Sequence, residues 1–417
     1  MPIDGPGRPW ASCTWPRARS SGRPTGRGNS SWKTSSGRSA TGCEAEAVVE
    51  ADLLRIIEPD GSFDAKAEPK LSEAVLKDGY RHLVLVRALD ARMLSLQRQG
   101  RIGFYVPSTG EEALQVGSAM ALTKDDWIFP AYREPGCALW RGFPLDRFIA
   151  QCYGNALDLS KGRQMPSHYA YRPSNYVTIS SPVGTQIPPA VGAAWAAKIR
   201  GDPIVTIVYF GDGATSEGDF HAGMNFAGVF KTPTVFFCKN NQWAISVPLA
   251  RQTASRTLAE KARAYGFEGV RVDGNDLLAV YAATKAAVDK ARGGGGPTMI
   301  EALTYRIGPH SSSDDPTRYR PKEEVEHWQA RDPLERMRRY LHRKGLASKE
   351  WDEALRKELE DLITETVQRV EKAPPPPLET LFTDVYAEMP PHVREQMEAF
   401  LASGERRRPE IVDRFPL

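Results

Sequence analysis

Two polar clusters, each closing an apolar run, carry the chemistry available to this sequence. The run Ile204 to Phe210 ends in Gly211-Asp212-Gly213, and the run Thr234 to Cys238 leads into Lys239-Asn240-Asn241. Apolar, β-rich runs of this kind read as strands buried on both faces of a parallel sheet. Glycine at the first strand end lets the backbone approach a ligand closely. Small and acidic residues then lead into an apolar-periodic helix over 220–230, so strand, glycine turn and helix N-terminus form an anion site. A parallel crossover returns the chain to the same edge of the sheet and sets the two strand ends side by side. Asp212 and Asn241 then offer hard oxygen donors to one point, and a diphosphate beside two such donors suits Mg²⁺. A lone Gly-Asp-Gly is usually only a turn. Followed about thirty residues later by Asn-Asn, with both clusters at strand ends, it is far more specific.

The elements that must position these residues follow from periodicity. Helices are predicted over 71–99, 111–122, 190–199 and 277–291, and strands over 204–210, 234–238, 267–272 and 298–305. Arg101 to Tyr105 reads as a short extended piece. This alternation gives an α/β fold, a parallel sheet flanked by helices, with a C-terminal helical extension. Charged helices follow over 323–342 and 349–372, then a stiff Pro-rich connector at 373–377. The segment 382–386 is expected to dock on a neighbouring surface, and the final residues read as a loose tail. The expected division is a disordered or targeting-like tail over 1–45, the α/β domain over 46–345, and the helical extension and tail over 346–417.

Two loops add candidate residues. The loop 306–320 follows the last strand, and loops at the carboxyl ends of strands carry chemistry in such sheets. It holds His310 and a serine run that reads as a solvated loop. The Gly- and Pro-punctuated loop 162–168 ends in His168, whose spacing suits a hydrogen-bonded structural histidine better than a catalytic one.

Composition bounds the rest. The 417 residues can bury a large core in one domain or two, and a net charge of +3 points to no particular partner, neither nucleic acid nor membrane. Five cysteines without a C-x-x-C pair fit a reducing compartment and no structural zinc. No apolar run approaches the length needed to span a bilayer. The first 45 residues are rich in Arg, Ser, Gly and Pro and poor in acids. Gly and Pro interrupt any amphipathic helix there, which favours a disordered tail over a presequence, and a cytoplasmic protein over one of the mitochondrial matrix.

The pair of strand ends resembles the thiamine diphosphate fingerprint. Over residues 71–389 the chain resembles the alpha subunit of the decarboxylating component of 2-oxoacid dehydrogenase complexes, with branched-chain features in Gln97 to Tyr105, in Thr304 to Gly308 and in Asp314-Asp315. The resemblance implies that Asp212, Asn241 and the Trp243 carbonyl hold Mg²⁺, and that Gly213 and Ala214 meet the diphosphate. Tyr132, Arg133, Ser181 and Lys239 complete the cofactor shell. It further implies a K⁺ held by Ser180, Pro182, Thr185 and Gln186, although Ser or Thr at this place also suits a helix cap without an ion. His310 matches the active-site histidine of the family, and an imidazole titrating near neutrality suits charge stabilisation or proton transfer. Ser311 matches the serine that a dedicated kinase modifies in animal members, and here the unregulated loop is the favoured reading. Where mammalian members carry Glu, Arg, Tyr and His, this chain has Asp212, Lys239, Trp243 and Pro309, and Ala131 stands where Gln is frequent. Lys239 keeps the positive charge of Arg but not its fork.

The function implied is oxidative decarboxylation of a branched-chain 2-oxoacid, with the acyl group passed to a lipoyl domain of an acyltransferase core. Side chains provide no electron sink for this; thiamine diphosphate does. The family draws its ring-activating Glu from a beta subunit, so an α₂β₂ assembly is expected. The alternatives are a pyruvate or acetoin dehydrogenase alpha subunit and, more remotely, a non-catalytic nucleotide-binding protein. Against the latter, the chain has no G-x-x-x-x-G-K-[ST] and no G-x-G-x-x-G opening a helix.

Overall fold

The computed structural model describes residues 53–403. The tail expected over 1–45, with Cys13 and Cys43, lies outside these residues, as do residues 404–417. From the amino end come helices α1 (Glu73–Arg98) and α2 (Glu112–Met120), strand β1 (Trp127–Phe129), and helices α3 (Pro135–Trp140), α4 (Leu145–Tyr153) and α5 (Ile187–Arg200). Strand β2 (Thr206–Gly211), helix α6 (Gly218–Phe230) and strand β3 (Thr234–Asn240) form the central unit. A small hairpin, β4 (Trp243–Ala244) with β5 (Val247–Pro248), follows, then β6 (Gly269–Asp273), α7 (Leu277–Arg292) and β7 (Thr298–Leu303).

The main sheet has the order β1-β2-β3-β7-β6, with every pair parallel. Alternate residues of β2 enter different cores. Ile207 and Tyr209 pack with the cluster under α1, α2 and α7, while Val208 and Phe210 pack with the cluster under α5 and α6. Two covered faces explain the unbroken apolar run, since period-2 side chains meet a core on either side. Every residue of β3 is buried. Each large apolar side chain there contributes about 1.5–3 kcal/mol by leaving water.

Register brings the strand ends level. Gly211 of β2 lies opposite Lys239 of β3, and Asn240 lies opposite Leu303 of β7. Asp212, Asn241 and the 304–310 segment therefore leave the sheet from the same edge. A 3₁₀ turn over Asp212–Ser216 separates β2 from α6, which starts at Gly218 rather than at the expected Phe220. Arg101 to Tyr105 forms no strand.

Beyond β7 the helices are α8 (Lys322–Gln329), α9 (Pro333–Arg343), α10 (Lys349–Glu371), α11 (Thr380–Thr383) and α12 (Pro391–Ala402). The single helix expected over 323–342 is two. Asp332 caps α9 by accepting from Leu334 N and Glu335 N, and Pro333 occupies its first position. A proline ring has no N–H to continue the preceding helix. Helix α10 buries Leu355, Leu359, Ile363, Val367 and Val370, and packs on α1 and α4. Residues 391–402, expected in a loose tail, form α12, with Phe400 against Phe382 at a 5.7 Å ring separation. Cys137, Cys152 and Cys238 are buried free thiols. Among the described residues no helix is long and apolar enough to cross a membrane.

Candidate active site

A cleft of about 210 Å³ opens at the carboxyl edge of the sheet, where β2 and β3 end. Asp212, Gly213, Ala214, Lys239, Asn241 and Trp243 line it from the two strand ends. Tyr132 and Arg133 enter from the loop after β1, and His310 from the loop after β7. Ser180, Pro182 and Gln186 line it from the segment before α5. Residues nearly 180 positions apart thus share one space because parallel strands end level.

The two predicted oxygen donors are both buried, Asp212 at 1% exposure and Asn241 at 7%. Asp212 Oδ2 accepts from Gln252 Nε2 at 2.5 Å. Burial pushes its carboxyl up to about 6, against the pull of that hydrogen bond. Asn241 donates from Nδ2 to Glu111 Oε1 at 2.7 Å and accepts at Oδ1 from Trp243 N at 3.2 Å. The Trp243 carbonyl accepts from Arg306 Nη1 at 3.1 Å.

Positive charge in the cleft is balanced by two acids with no solvent exposure, Glu111 and Glu134. Lys239 Nζ pairs with Glu134, lies 3.4 Å from Glu111 Oε2 and donates to the Arg133 carbonyl at 3.4 Å. Burial works against the Lys239 ammonium, but Glu134 and Glu111 outweigh it and raise its pKa. Its ammonium is thus paired with two buried carboxylates of the protein. Arg133 donates from Nη1 to the Pro107 carbonyl, and from Nη2 to the His310 carbonyl at 2.8 Å and His310 Nδ1 at 3.2 Å.

His310 also meets Tyr132 edge to face, with ring centroids 6.1 Å apart. Its imidazole does not titrate near neutrality. Burial, then Arg133 and Arg306, push its pKa down to about 3, against the pull of Asp314. The serine run beside it is not a solvated loop throughout. Ser311 is 7% exposed, and Ser312 Oγ accepts from Tyr105 N at 3.0 Å.

The predicted cation group is gathered by its own bonds. Thr185 Oγ1 donates to the Pro182 carbonyl at 2.9 Å and lies 3.0 Å from Ser180 Oγ. Gln186 donates from Nε2 to the Tyr209 carbonyl at 2.7 Å, while its buried Oε1 has no hydrogen-bond partner. Thr185 and Ser181 do not line the cleft. The Ser181 hydroxyl is held by His168 Nε2, and His168 Nδ1 lies 3.1 Å from the Pro166 carbonyl.

These residues fit a diphosphate with its metal. The donor set combines one carboxylate, one carboxamide oxygen and one carbonyl, the hard oxygen ligands that Mg²⁺ takes alongside phosphate. Gly213 lets the turn after β2 approach the β4 hairpin closely, because a Cβ there would come within 2.8 Å of the Ala244 Cβ. The orphaned Gln186 oxygen fits a monovalent cation, since a buried acceptor without a partner is costly.

Sequence reasoning missed Glu111, Glu134, Gln252 and Arg306. Glu111 opens a helix, where an acid reads as a solvated N-terminal charge. Glu134 follows Arg133 directly and reads as half of a surface pair. Arg306 gave the clearest usable signal, a cation directly after an apolar strand.

A parallel α/β sheet with acid, carboxamide and guanidinium groups converging beyond its strand ends defines a cofactor-binding α/β protein. The sequence pattern of the dehydrogenase E1 component family matches residues 80–379, and the chain belongs to that family. It is 45% identical over 349 residues to the mitochondrial 2-oxoisovalerate dehydrogenase subunit alpha of Homo sapiens, covering 83% of this chain and 78% of that protein. The mitochondrial alpha 2 subunit of Arabidopsis thaliana is 44% identical over 360 residues, 85% of this chain and 76% of that protein. The Dictyostelium discoideum subunit is 45% identical over 340 residues, 80% and 76%.

Proposed function

We propose that this chain is the alpha subunit of a branched-chain 2-oxoacid dehydrogenase, using thiamine diphosphate and Mg²⁺. The observation that carries the reading is Asp212, Asn241 and Trp243 lining one cleft with Arg133 and His310. In it Asp212, Asn241 and the Trp243 carbonyl would hold the metal, the carbonyl through the lone pair that Arg306 leaves open. Arg133, which lines the cleft, would contribute positive charge to the diphosphate site while its Nη1 and Nη2 stay bonded to the Pro107 and His310 carbonyls. When bound, the cofactor supplies the electron sink that side chains lack. The hydrogen bonds between Arg133 and His310 would set proton positions there. The reading assigns the ring-activating acid to a beta subunit, in an α₂β₂ assembly that passes its acyl group to a lipoyl acyltransferase core. The relatives are named mitochondrial, which supports the matrix over the cytoplasm; cell fractionation decides between the two.

The test is turnover of 3-methyl-2-oxobutanoate and pyruvate by the chain with and without its beta partner. The expected result is activity only in the assembly, with kcat/KM favouring the branched acid by about 10- to 200-fold, the range that small apolar pocket contacts supply. Full turnover by the chain alone sinks the half-enzyme reading. A preference for pyruvate makes it a pyruvate-type subunit instead.

The same reading gives K⁺ to Ser180, Pro182, Thr185 and Gln186. Potassium at about 100 times its Kd should stabilise the fold by about 2.7 kcal/mol relative to a bulky cation. Gln186→Leu should abolish that difference. Equal melting temperatures in the two salts for the native chain would rule the ion out.

A further inference from the structure

Glu111 stands at the start of α2, yet its side chain does not cap the helix. Its neighbour Glu112 serves the preceding turn and α1, its Oε2 accepting from Gly110 N at 2.9 Å and its Oε1 pairing with Arg87. The Glu111 carboxylate is fully buried and turns to the cleft instead. Its Oε1 accepts from Asn241 Nδ2 at 2.7 Å and lies 3.7 Å from Arg133 Nε, while Oε2 lies 3.4 Å from Lys239 Nζ.

A carboxamide has one end that can bind a metal and one that cannot. Which end faces the metal depends on what holds the other. An ionised carboxylate only accepts hydrogen bonds, so it attracts the Asn241 NH₂ and repels the oxygen. We propose that Glu111 is a positioning residue that fixes the Asn241 carboxamide with its oxygen available to the metal. Lys239 Nζ at 3.4 Å and Arg133 Nε at 3.7 Å pair with the carboxylate and hold it in place. This rests on the cofactor reading above. The competing role is a plain counter-ion for Lys239 and Arg133, which would be indifferent to Asn241.

The two roles separate in a binding cycle. Mn²⁺, followed by its EPR signal in the presence of thiamine diphosphate, is titrated into the full chain assembled with its beta partner. Glu111→Gln presents either amide end to Asn241 and should weaken Mn²⁺ binding by about 10- to 100-fold, as loss of a ligand's supporting bond does. Glu111→Asp keeps the charge but not the reach, and should lose affinity to a similar degree. In an Asn241→Ala background, Glu111→Gln should cost less than about threefold more, because the partner through which it acts is gone. Native affinity in Glu111→Asp, or additive losses in the double variant, would establish the counter-ion role and overturn the proposal. Should the native assembly bind Mn²⁺ while Glu111→Gln matches it, the positioning role alone falls. Should the native assembly bind none, the cofactor reading falls and takes this role with it.

Discussion

Asp212→Asn is expected to weaken Mg²⁺ binding in the presence of thiamine diphosphate by about 100-fold or more, since the proposed function makes Asp212 a metal ligand and the change removes its charge. The unliganded fold should hold or gain stability. Asp212 is 1% exposed, and its strongest shift is the upward push of burial. An isosteric amide relieves that cost and can still accept from Gln252. The sign with pH follows. The folded pKa of about 6 lies above the ordinary carboxylate value, so the fold holds this proton more readily than the unfolded chain does. The penalty on the unliganded fold is therefore full above pH 6 and relieved as the pH falls towards 4, on the order of 2–3 kcal/mol in all. Metal competes with the same proton, so apparent affinity should drop about tenfold per unit below pH 6. Calorimetric titration between pH 5 and 8 measures both effects. A variant that binds Mg²⁺ like the native chain while melting lower would make Asp212 a structural acid.

His310→Phe should lower kcat by about 10²- to 10⁴-fold, the range for a group that acts on protons at the reaction centre. Affinity for Mg²⁺ and cofactor should change less than about threefold, because Arg133 keeps its bonds to the His310 and Pro107 carbonyls. The structure also specifies the protonation state. Arg133 Nη2 faces Nδ1 as a donor, which leaves the imidazole proton on Nε2. With its pKa pushed down to about 3, the ring in the unliganded chain stays neutral over the working range and offers a donor from Nε2. The unfolded chain takes up a proton near 6.5 and the fold does not until about 3, so this residue makes the fold less stable as the pH falls between those values. Its NMR ring resonances should be flat from pH 5 to 8. A midpoint near 6.5 would show a hydrated ring free of Arg133.

Much of this protein is legible in order along the chain. Ile204 to Phe210 and Thr234 to Cys238 announce buried parallel strands, and β2 and β3 occupy them within two residues at either end. Such runs are readable because burial on both faces demands apolar residues without alternation, which is a local property. Asp276, which accepts from Leu278 N and Ala279 N, marks the start of α7 by the same kind of local chemistry. The break at Asp332-Pro333 was equally local, and the apolar positions running through it obscured it.

The site divides differently. Residue types, the spacing from Asp212 to Asn241 and the resemblance over residues 71–389 named most of the cleft from sequence alone. They could not show that Lys239 directs its ammonium at Glu134, Glu111 and the Arg133 carbonyl, that Ser181 is held by His168, or that His310 is neutral. Backbone pattern is set by neighbours in the chain, so the sequence determined the strands, their glycine turn and the family. The charge state and orientation of these side chains depend on desolvation and on partners distant in the chain, more than a hundred residues away for Lys239, Asn241 and His310. Those appear only when the sheet brings Glu111, Arg133, Asn241 and His310 into contact, so tertiary structure alone decided them.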